Sequence, residues 1–428
     1  MNEKNSHSIH TDAVYLAALA DLEPKREEPS QLEPAKCSIA VLPFVNMSGD
    51  AEQDYFADGI AEDLLIELSR YRHLAVVSRI SSFAYKNRTV NVQLAGRELG
   101  ADFILEGSVR KAGSRIRIAA QLSDCVNGKH VWAERYDRSV EDIFVLQDDI
   151  VASILAGLTY NLDDAAARQR GSHPTASSSA YSLFLQGRSL WRLGDEPGAR
   201  ELLQRATELD SNYARAYAYL AFLQAYSLIS QESRLSDEDI RAKVLERVLR
   251  SIALDKGDPF VQHRAAMAYA LVGEWKKSLS LAELAVQQVP RDIEAKLVLG
   301  AILVYNGKHQ EGIRLIFDAG ANEKRWPPGY KSALFDAHYL SRDYIAALDA
   351  VTDLVEAPAY IWAYRSAAMA KLGRIDEAHA CLREATARKE GFDAARLAKN
   401  SAMMCALPED AENWLDGFRQ AGVAAKCE

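Results

Sequence analysis

Two stretches in the second half of the chain, AMAYALVGEWKKSLSLAELAVQQVP (residues 266–290) and GAILVYNGKHQEGIRLIFDAG (residues 300–320), align without a gap at a spacing of 34 residues. Each stretch has a small residue in a first helical pattern, a turn with Gly273 or Gly307, and a second helical pattern. Antiparallel helices pack closely only where side chains are small, and a single pair cannot bury its own apolar face. The spacing therefore predicts helix pairs that stack around a shared core.

This layout recurs between residues 180 and 391 and resembles the tetratricopeptide repeat. About six units are predicted, at residues 180–213, 214–258, 259–292, 293–327, 328–358 and 359–391. The second unit contains an insertion, and the fifth is weak in its first helix. Residues 392–428 are predicted to form C-terminal capping helices. The resemblance implies an all-α superhelix that binds a protein or peptide in its groove.

The first half of the chain predicts an α/β domain at residues 37–167. The runs SIAVLPFV (residues 38–45) and LAVVSR (residues 74–79) are typical of buried strands, and a helical apolar pattern lies between them. Apolar and polar residues alternate over residues 115–122, and Asn127-Gly128 favours a two-residue hairpin turn, which together predict antiparallel strands. The fold class is thus an α/β domain, with a mixed sheet and flanking helices, joined to helical repeats.

The segments outside these two domains are polar. Residues 1–36 carry three prolines among Glu and Lys residues and are predicted to be a flexible arm. Residues 168–179 are rich in Ser and Gly residues and are predicted to be a linker.

Residues 38 to about 160 resemble a bacterial domain that is similar to the N-terminal domain of TolB. In that group the domain often precedes tetratricopeptide repeats, and the pair commonly follows a class III adenylate/guanylate cyclase domain or a winged-helix DNA-binding domain. The first 37 residues of this chain are too few for either domain. The expectation is therefore that the resemblance carries over the regulatory half without the cyclase chemistry or the DNA binding.

Motifs for nucleotide, metal or covalent chemistry are weak. The segment NMSGDAEQDYFADG (residues 46–59) has neither a Gly-x-Gly-x-x-Gly pattern nor a P-loop, and its acidic residues would repel phosphate, so it is interpreted as a structural turn. The adjacent carboxylates Glu62-Asp63 and Asp148-Asp149 point about 100° apart on a helix and are interpreted as solvated. No catalytic, cofactor-binding or metal-binding residue is assigned.

Composition limits the partners and the compartment. The net charge of −9 argues against a nucleic acid bound through a general basic field. No run of about 18 apolar residues indicates a membrane span, and the N-terminus lacks the layout of a secretory signal. Five scattered cysteines without a Cys-x-x-Cys pair are typical of reduced thiols, so a cytoplasmic location is expected. The oligomeric state stays open.

The family resemblance also implies which residues bind a partner, because the first helix of each repeat lines the concave side. Carried over unit by unit, these positions are Phe184, Arg188, Trp191, Arg192, Arg215, Phe222, Tyr226, His263, Met267 and Tyr305. Aromatic residues and arginines are common at interface hot spots. They would suit a helix or extended peptide with apolar anchors and acidic character. The alternative, that several of the aromatic residues fill the core between helices, stays open.

Three functional hypotheses follow. The first is a non-enzymatic interaction or regulatory protein that binds a protein or peptide in the repeat groove. The second is a stand-alone regulatory subunit for a separate nucleotide cyclase or winged-helix transcription regulator. The third is an enzyme with an unrecognised site in the α/β domain.

Overall fold

The chain folds into an α/β domain followed by helix pairs, which confirms the predicted fold class. The computed structural model describes residues 37–71, 74–157, 175, 177–290, 292–320, 328–354 and 356–423. The predicted arm at residues 1–36 and most of the predicted linker at residues 168–179 lie outside the described residues.

A mixed six-stranded sheet forms the centre of the α/β domain. Its strands are β1 (Cys37–Val41), β2 (Val45–Asn46), β3 (Leu74–Val76), β4 (Phe103–Ala112), β5 (Arg115–Asp124) and β6 (His130–Ser139). The order across the sheet is β3, β1, β4, β5, β6, and β2 pairs with β4. Strand β1 is parallel to β3 and β4, whereas β4, β5 and β6 form an antiparallel meander. Gly113 and Gly128, in the two turns of the meander, have φ values of 58° and 71°.

Helices cover both faces of this sheet. They are α1 (Asp54–Ser69), α2 (Arg79–Phe83), α3 (Val92–Leu99) and α4 (Ile143–Gly157). Successive residues of a strand point to opposite faces. Ile39 and Val41 accordingly belong to the main core beneath α1 and α4, whereas Ala40 and Leu42 belong to a smaller core with residues of α3.

The turn before α1 is held by its own polar side chains. The Asn46 side-chain amide donates to the Asp50 carbonyl at 2.8 Å and to Asp54 Oδ1 at 2.7 Å. Ser48 Oγ accepts from the Lys111 backbone N–H at 3.0 Å. These bonds satisfy the loop internally, as expected for the structural turn that the sequence predicts.

Helix pairs make up the rest of the described chain. They are α5 (Ser178–Arg192) with α6 (Glu196–Leu209), α7 (Ala214–Ser230) with α8 (Asp237–Leu254), α9 (Pro259–Leu271) with α10 (Trp275–Gln288), α11 (Ile293–Tyr305) with α12 (His309–Gly320), α13 (Pro328–Leu340) with α14 (Tyr344–Ala350), α15 (Ala359–Lys371) with α16 (Ile375–Arg388), and α17 (Ala394–Met403) with α18 (Pro408–Gln420). Two helices lie in each of the six predicted units. None of the helices in the described ranges is long and apolar enough to cross a membrane.

First and second helices of the units differ in burial. Helix α9 buries eleven of its 13 residues, whereas its partner α10 buries four of 14. A helix that is buried all round must be covered on more than one side. The first helices of the repeats are therefore covered both by their neighbours and by other parts of the chain.

Helices α17 and α18 provide much of this cover by folding back over the first helices. The Asn400 side-chain amide donates to the Leu228 carbonyl at the end of α7, at 3.0 Å. Trp414 is fully buried, and its ring lies 4.0 Å from that of Tyr339 and 4.7 Å from that of Tyr364. His309 and Asp410 form a further contact at 2.7 Å.

Glycines allow a close helix contact in the repeats, between α11 and α12. A Cβ atom at Gly312 would lie 2.5 Å from the Gly300 carbonyl oxygen and 2.6 Å from Val304 Cγ2. A Cβ atom at Gly300 would lie 2.7 Å from Ile316 Cγ1. This is the physical reason for the small residue that recurs within each helix of the repeat.

We expect Gly312→Ala to lower the free energy of unfolding by roughly 1–3 kcal/mol, because the backbone contact leaves no room for the methyl group. Alanine is intrinsically the better helix former by about 1 kcal/mol, so a loss of stability would show that packing dominates. Chemical denaturation of the full chain measures the change. Glu311→Ala, at the exposed neighbouring position, is the control and should stay within about 0.5 kcal/mol of the wild type. A stabilised Gly312→Ala variant would contradict the close contact.

Candidate functional site

The contact between the two domains is the candidate functional site, and it begins where α1 lies on α5. Tyr55 Oη and Ser182 Oγ are 2.8 Å apart. A Cβ atom at Gly59 would lie 2.4 Å from Leu185 Cδ1, so glycine lets the two helices approach. Tyr55, Gly59 and Glu62 share one face of α1, because residues four and seven positions apart are neighbours on a helix.

Glu62 is the central charge of this contact. Its carboxylate is 2% exposed, accepts hydrogen bonds from Arg79 in α2 and Arg192 in α5, and forms an ion pair with Arg188 in α5. Arg188 Nη2 lies 2.7 Å from Glu62 Oε2. Burial alone would raise the pKa of Glu62, but Arg192, Arg79 and Arg188 together lower it to about 2. The carboxylate is therefore ionised within the contact.

Asp63 faces a different set of partners. Its Oδ2 accepts from the Tyr181 hydroxyl and from Gln147 Nε2, the latter at 3.3 Å. Gln147 Nε2 also donates to Tyr181 Oη at 3.0 Å, and Arg188 Nη1 lies 3.8 Å from Asp63 Oδ1. Burial raises the pKa of Asp63 despite the nearby Arg188. Arg188 thus contacts both carboxylates, and α1, α4 and α5 meet around them.

The end of α1 reaches the second and third repeats. Arg215 in α7 is buried, and its Nη2 lies 3.6 Å from Glu67 Oε1. Its Nε donates to Asp258 Oδ2 at 2.5 Å, and Arg70 approaches the other oxygen of Asp258 at 3.6 Å. Burial would raise the pKa of Asp258, but Arg215 and Arg70 lower it. Acidic groups of α1 therefore meet basic groups on the first helices of two repeats.

The structure places all ten predicted partner-binding residues on the first helices of repeats. Arg188 and Arg192 contact Glu62, and Arg215 contacts Glu67 and Asp258. Six of the ten are buried, namely Phe184, Arg188, Arg215, Phe222, His263 and Tyr305. Trp191, Tyr226 and Met267 are partly buried, and Arg192 is exposed.

The aromatic members of this set pack on one another. The Phe184 ring lies 5.1 Å from that of Tyr213, and the Trp191 ring lies 4.8 Å from that of Tyr226 and 5.6 Å from that of Phe222. These contacts favour the alternative that the aromatic residues fill the core between helices.

Two other members of the set are buried polar groups. The Tyr305 hydroxyl donates to Asp336 Oδ2 at 2.6 Å, which adds a buried hydrogen bond between α11 and α13. Burial lowers the pKa of His263 to about 4, so this imidazole is neutral.

Other parts of the chain cover the face on which the ten predicted residues lie. The face formed by the first helices of the repeats, here called the first-helix face, is covered at its basic end by α1. Helices α17 and α18 lie along the rest of it, from the end of α7 to α13 and α15. Whether a separate partner binds the ten residues stays a prediction. Acidic groups of the kind expected from such a partner, Glu62 and Glu67, come from α1 of the chain itself.

The expectation that Glu62 and Asp63 are solvated is wrong, because they are 2% and 4% exposed. Asp148 and Asp149, which the same argument assigned to solvent, are exposed. The local pattern cannot separate the two pairs, since each is an adjacent acidic pair on an amphipathic helix. The sequence did hold one signal for this burial, since the chain contains both acidic residues on a helix and arginines on a helix face that could bind them.

Other chemical groups of the described residues form no recognisable reactive site. In that part of the chain no three His, Cys, Asp or Glu side chains lie close enough together to hold a metal ion. Burial raises the pKa of the Cys125 thiol to about 11, so it stays protonated near neutral pH. His7 and His10, also considered from the sequence, lie outside the described residues.

Two comparisons with known proteins match parts of the chain. Residues 35–153 match the model of a family described as "HilA/YgeH-like transcriptional regulator, second domain". The chain is 40% identical over 260 residues to "Putative adenylate cyclase 3" of Rhizobium meliloti (strain 1021), which is 60% of this chain and 43% of that protein. The match thus spans less than half of the relative. It confirms the resemblance to bacterial cyclase-related proteins that the sequence suggests.

A solved structure resembles the chain more distantly. It is a tetratricopeptide repeat protein from Parabacteroides merdae ATCC 43184, with a TM-score of 0.34 and 13% identity, covering 57% of this chain and 93% of that one. The assignment of the repeats here therefore rests on the helix pairs themselves.

The lowered pKa of Glu62 predicts how the contact depends on pH. Because the folded pKa lies near 2 and the ordinary value is 4.5, ionised Glu62 stabilises the fold above pH 4.5, and this contribution falls as the pH drops toward 2. We expect Glu62→Gln to be less stable than the wild type by about 3 kcal/mol at pH 7, with a gap that narrows below pH 4.5. Denaturant unfolding of both full chains across this range measures the gap.

Asp149→Asn, at an exposed helix position, is the matched control and should show no such gap. A difference between wild type and Glu62→Gln that stays constant from pH 7 to acid would show that the charge of Glu62 is not what stabilises the contact.

Proposed function

We propose that this chain is a non-enzymatic regulatory protein that binds a protein partner through the first-helix face of its repeats. In this proposal α1 covers the basic end of that face, and a partner with an acidic helix displaces it. The observation that carries the proposal is the ionised Glu62 among Arg79, Arg188 and Arg192, which joins the two domains through charge.

The charged character of the contact supports displacement. An apolar interface that opens exposes hydrophobic surface to water, at about 25 cal/mol for each Å². Carboxylates and guanidinium groups are instead well hydrated once the surfaces separate, which offsets the Coulomb attraction that is lost. Contacts between domains of one chain also resemble transient protein–protein interfaces. The α1 contact is thus suited to a reversible switch.

The chemistry of α1 specifies what a competing helix must carry. It needs a small residue opposite Leu185, where Gly59 now lies, and a carboxylate three positions later to meet Arg188 and Arg192. A second acidic group five positions further on would meet Arg215, as Glu67 does. This refines the expected partner from an acidic peptide to an amphipathic helix with defined spacing.

A second candidate function is regulation of a separate nucleotide cyclase or winged-helix transcription regulator. Two findings favour it: the relative is named as an adenylate cyclase, and the family matched by residues 35–153 is named for transcriptional regulators. Both candidates use the same surface and differ in the identity of the partner.

A labelled peptide with the sequence of residues 54–69 tests whether α1 covers a binding surface. We expect the peptide to bind the full-length Glu62→Arg variant at least about tenfold more tightly than the wild type, because the added charge repels Arg188 and Arg192 and opens the contact. Fluorescence anisotropy measures both affinities. A peptide that itself carries Arg at the Glu62 position is the control and should bind neither chain. Equal binding to the two chains would contradict displacement of α1.

The non-enzymatic assignment is tested directly. We expect the purified 428-residue chain, supplied with ATP or GTP and Mg²⁺ or Mn²⁺, to produce no cyclic nucleotide, because the proposal gives this chain a binding role alone. Chromatographic detection of cyclic AMP and cyclic GMP makes the measurement. Production that persists at constant specific activity through successive purification steps would overturn the assignment.

A further inference from the structure

Strand β6 forms the long outer edge of the sheet. It pairs with β5 over most of its ten residues, and no other described strand pairs with its opposite side. Val131, Ala133, Glu134, Arg135 and Arg138 are all exposed along it. An edge of this length has a row of backbone N–H and C=O groups that can pair with another strand.

The outward-facing backbone groups belong to alternate residues. Val140 N–H donates to the Ser114 carbonyl at 2.7 Å. Because hydrogen-bonded pairs alternate along an antiparallel ladder, the even-numbered residues of β6 also bond to β5. The groups of Arg135 and Asp137 therefore point away from the sheet. They are the groups that an added strand would bind, and at the Asp137 carbonyl it would replace the bond that Arg138 Nη1 donates at 3.2 Å.

The charges of β6 are self-complementary in the antiparallel direction. The sequence from Glu134 to Arg138 is Glu-Arg-Tyr-Asp-Arg, with signs that alternate around the neutral Tyr136. If two copies pair about a two-fold axis at Tyr136, Glu134 faces Arg138 of the other copy, and Arg135 faces Asp137. Opposite charges that face each other across strands are stabilising.

Neighbouring registers lack this complementarity. An axis at Arg135 places Arg135 against itself and Asp137 against Ala133. An axis at Asp137 places Asp137 against itself and Arg135 against Ser139. Charges that only protect an edge strand from pairing do not need to alternate in sign. If all of them had one sign, they would repel the same strand of a second copy in every register. The alternation therefore indicates one register rather than general protection.

The contacts within the chain leave these charges available. Asp137 is bound from its own sheet by Arg115 at 2.7 Å and by Arg117 at 2.5 Å. Glu134 and Arg138, in contrast, form no ion pair with any other residue of the described ranges. Within the described residues, Glu134 accepts a hydrogen bond from the Tyr136 hydroxyl alone, at 2.6 Å. The pair of Glu134 with Arg138 is therefore the one most open to a second copy.

We propose that β6 pairs antiparallel with β6 of a second copy of this chain, with the two-fold axis at Tyr136, so that one continuous sheet spans a homodimer. The interface is isologous, as is usual for two-fold dimers. Its specificity comes from the reciprocal Glu134–Arg138 and Arg135–Asp137 pairs, and its affinity from the backbone ladder. This inference does not depend on the function proposed above.

Charge reversal at two exposed positions tests the register. Sedimentation across a wide concentration range should show the wild type passing from a 47.4 kDa monomer to a dimer of twice that mass. Glu134→Arg places arginines opposite each other twice, and Arg138→Glu does the same with glutamates. We expect each single variant to raise the dimer dissociation constant at least about tenfold.

Two combinations then distinguish pairing from loss of fold. An equimolar mixture of the two single variants should dimerise again, because every arginine then faces a glutamate. The double variant Glu134→Arg/Arg138→Glu should dimerise by itself for the same reason. Arg97→Glu, an exposed charge reversal on α3, is the control and should leave the dimer intact.

A wild type that stays monomeric at every concentration would overturn the proposal. So would a dimer that neither single variant weakens, or a mixture and double variant that both stay monomeric. Binding of an unrelated strand at β6 by a monomeric chain would likewise count against a second copy as the occupant.

Discussion

The arrangement of the two domains depends on one buried carboxylate. In the folded chain the Glu62 side chain is 2% exposed. Removing an ionised carboxylate from water costs several kcal/mol of free energy unless other charges compensate it. Arg79, Arg188 and Arg192 supply that compensation, and they come from both domains. The position of α1 on the first repeat is therefore fixed by a charge cluster that is stable only when it is complete.

The two ends of the first-helix face are covered by chemically different contacts. At the C-terminal end, Trp414 stacks on Tyr339 and Tyr364, and separation would expose large aromatic surfaces. At the N-terminal end, α1 brings carboxylates to arginines, and separation would return charges to water. In the proposed function, the contact of α1 is therefore the one that opens, whereas α17 and α18 stay in place.

Much of the fold follows from the sequence because its causes are local. The spacing of small residues predicts the helix pairs, and Gly300 against Gly312 shows the close packing behind that spacing. The contact between Glu62 and Arg188 joins residues 126 positions apart, so no local period reveals it. The sequence nevertheless contains each half separately, as an adjacent acidic pair on a predicted helix and as arginines suited to a peptide with acidic character. The sequence alone does not show that the acidic pair and the arginines bind each other.

Covalent connection decides how strongly a partner must bind. A segment tethered to its own binding surface has an effective concentration that reaches the millimolar range for short flexible connections. A free helix with the same contacts as α1 would therefore displace it only at comparable concentrations. A partner at lower concentration must add contacts that α1 lacks. Trp191 and Met267, which are partly exposed beside the covered arginines, lie where such contacts can form. The same surface can then distinguish its partner from other acidic helices, because a helix that offers only charged contacts does not bind more tightly than α1.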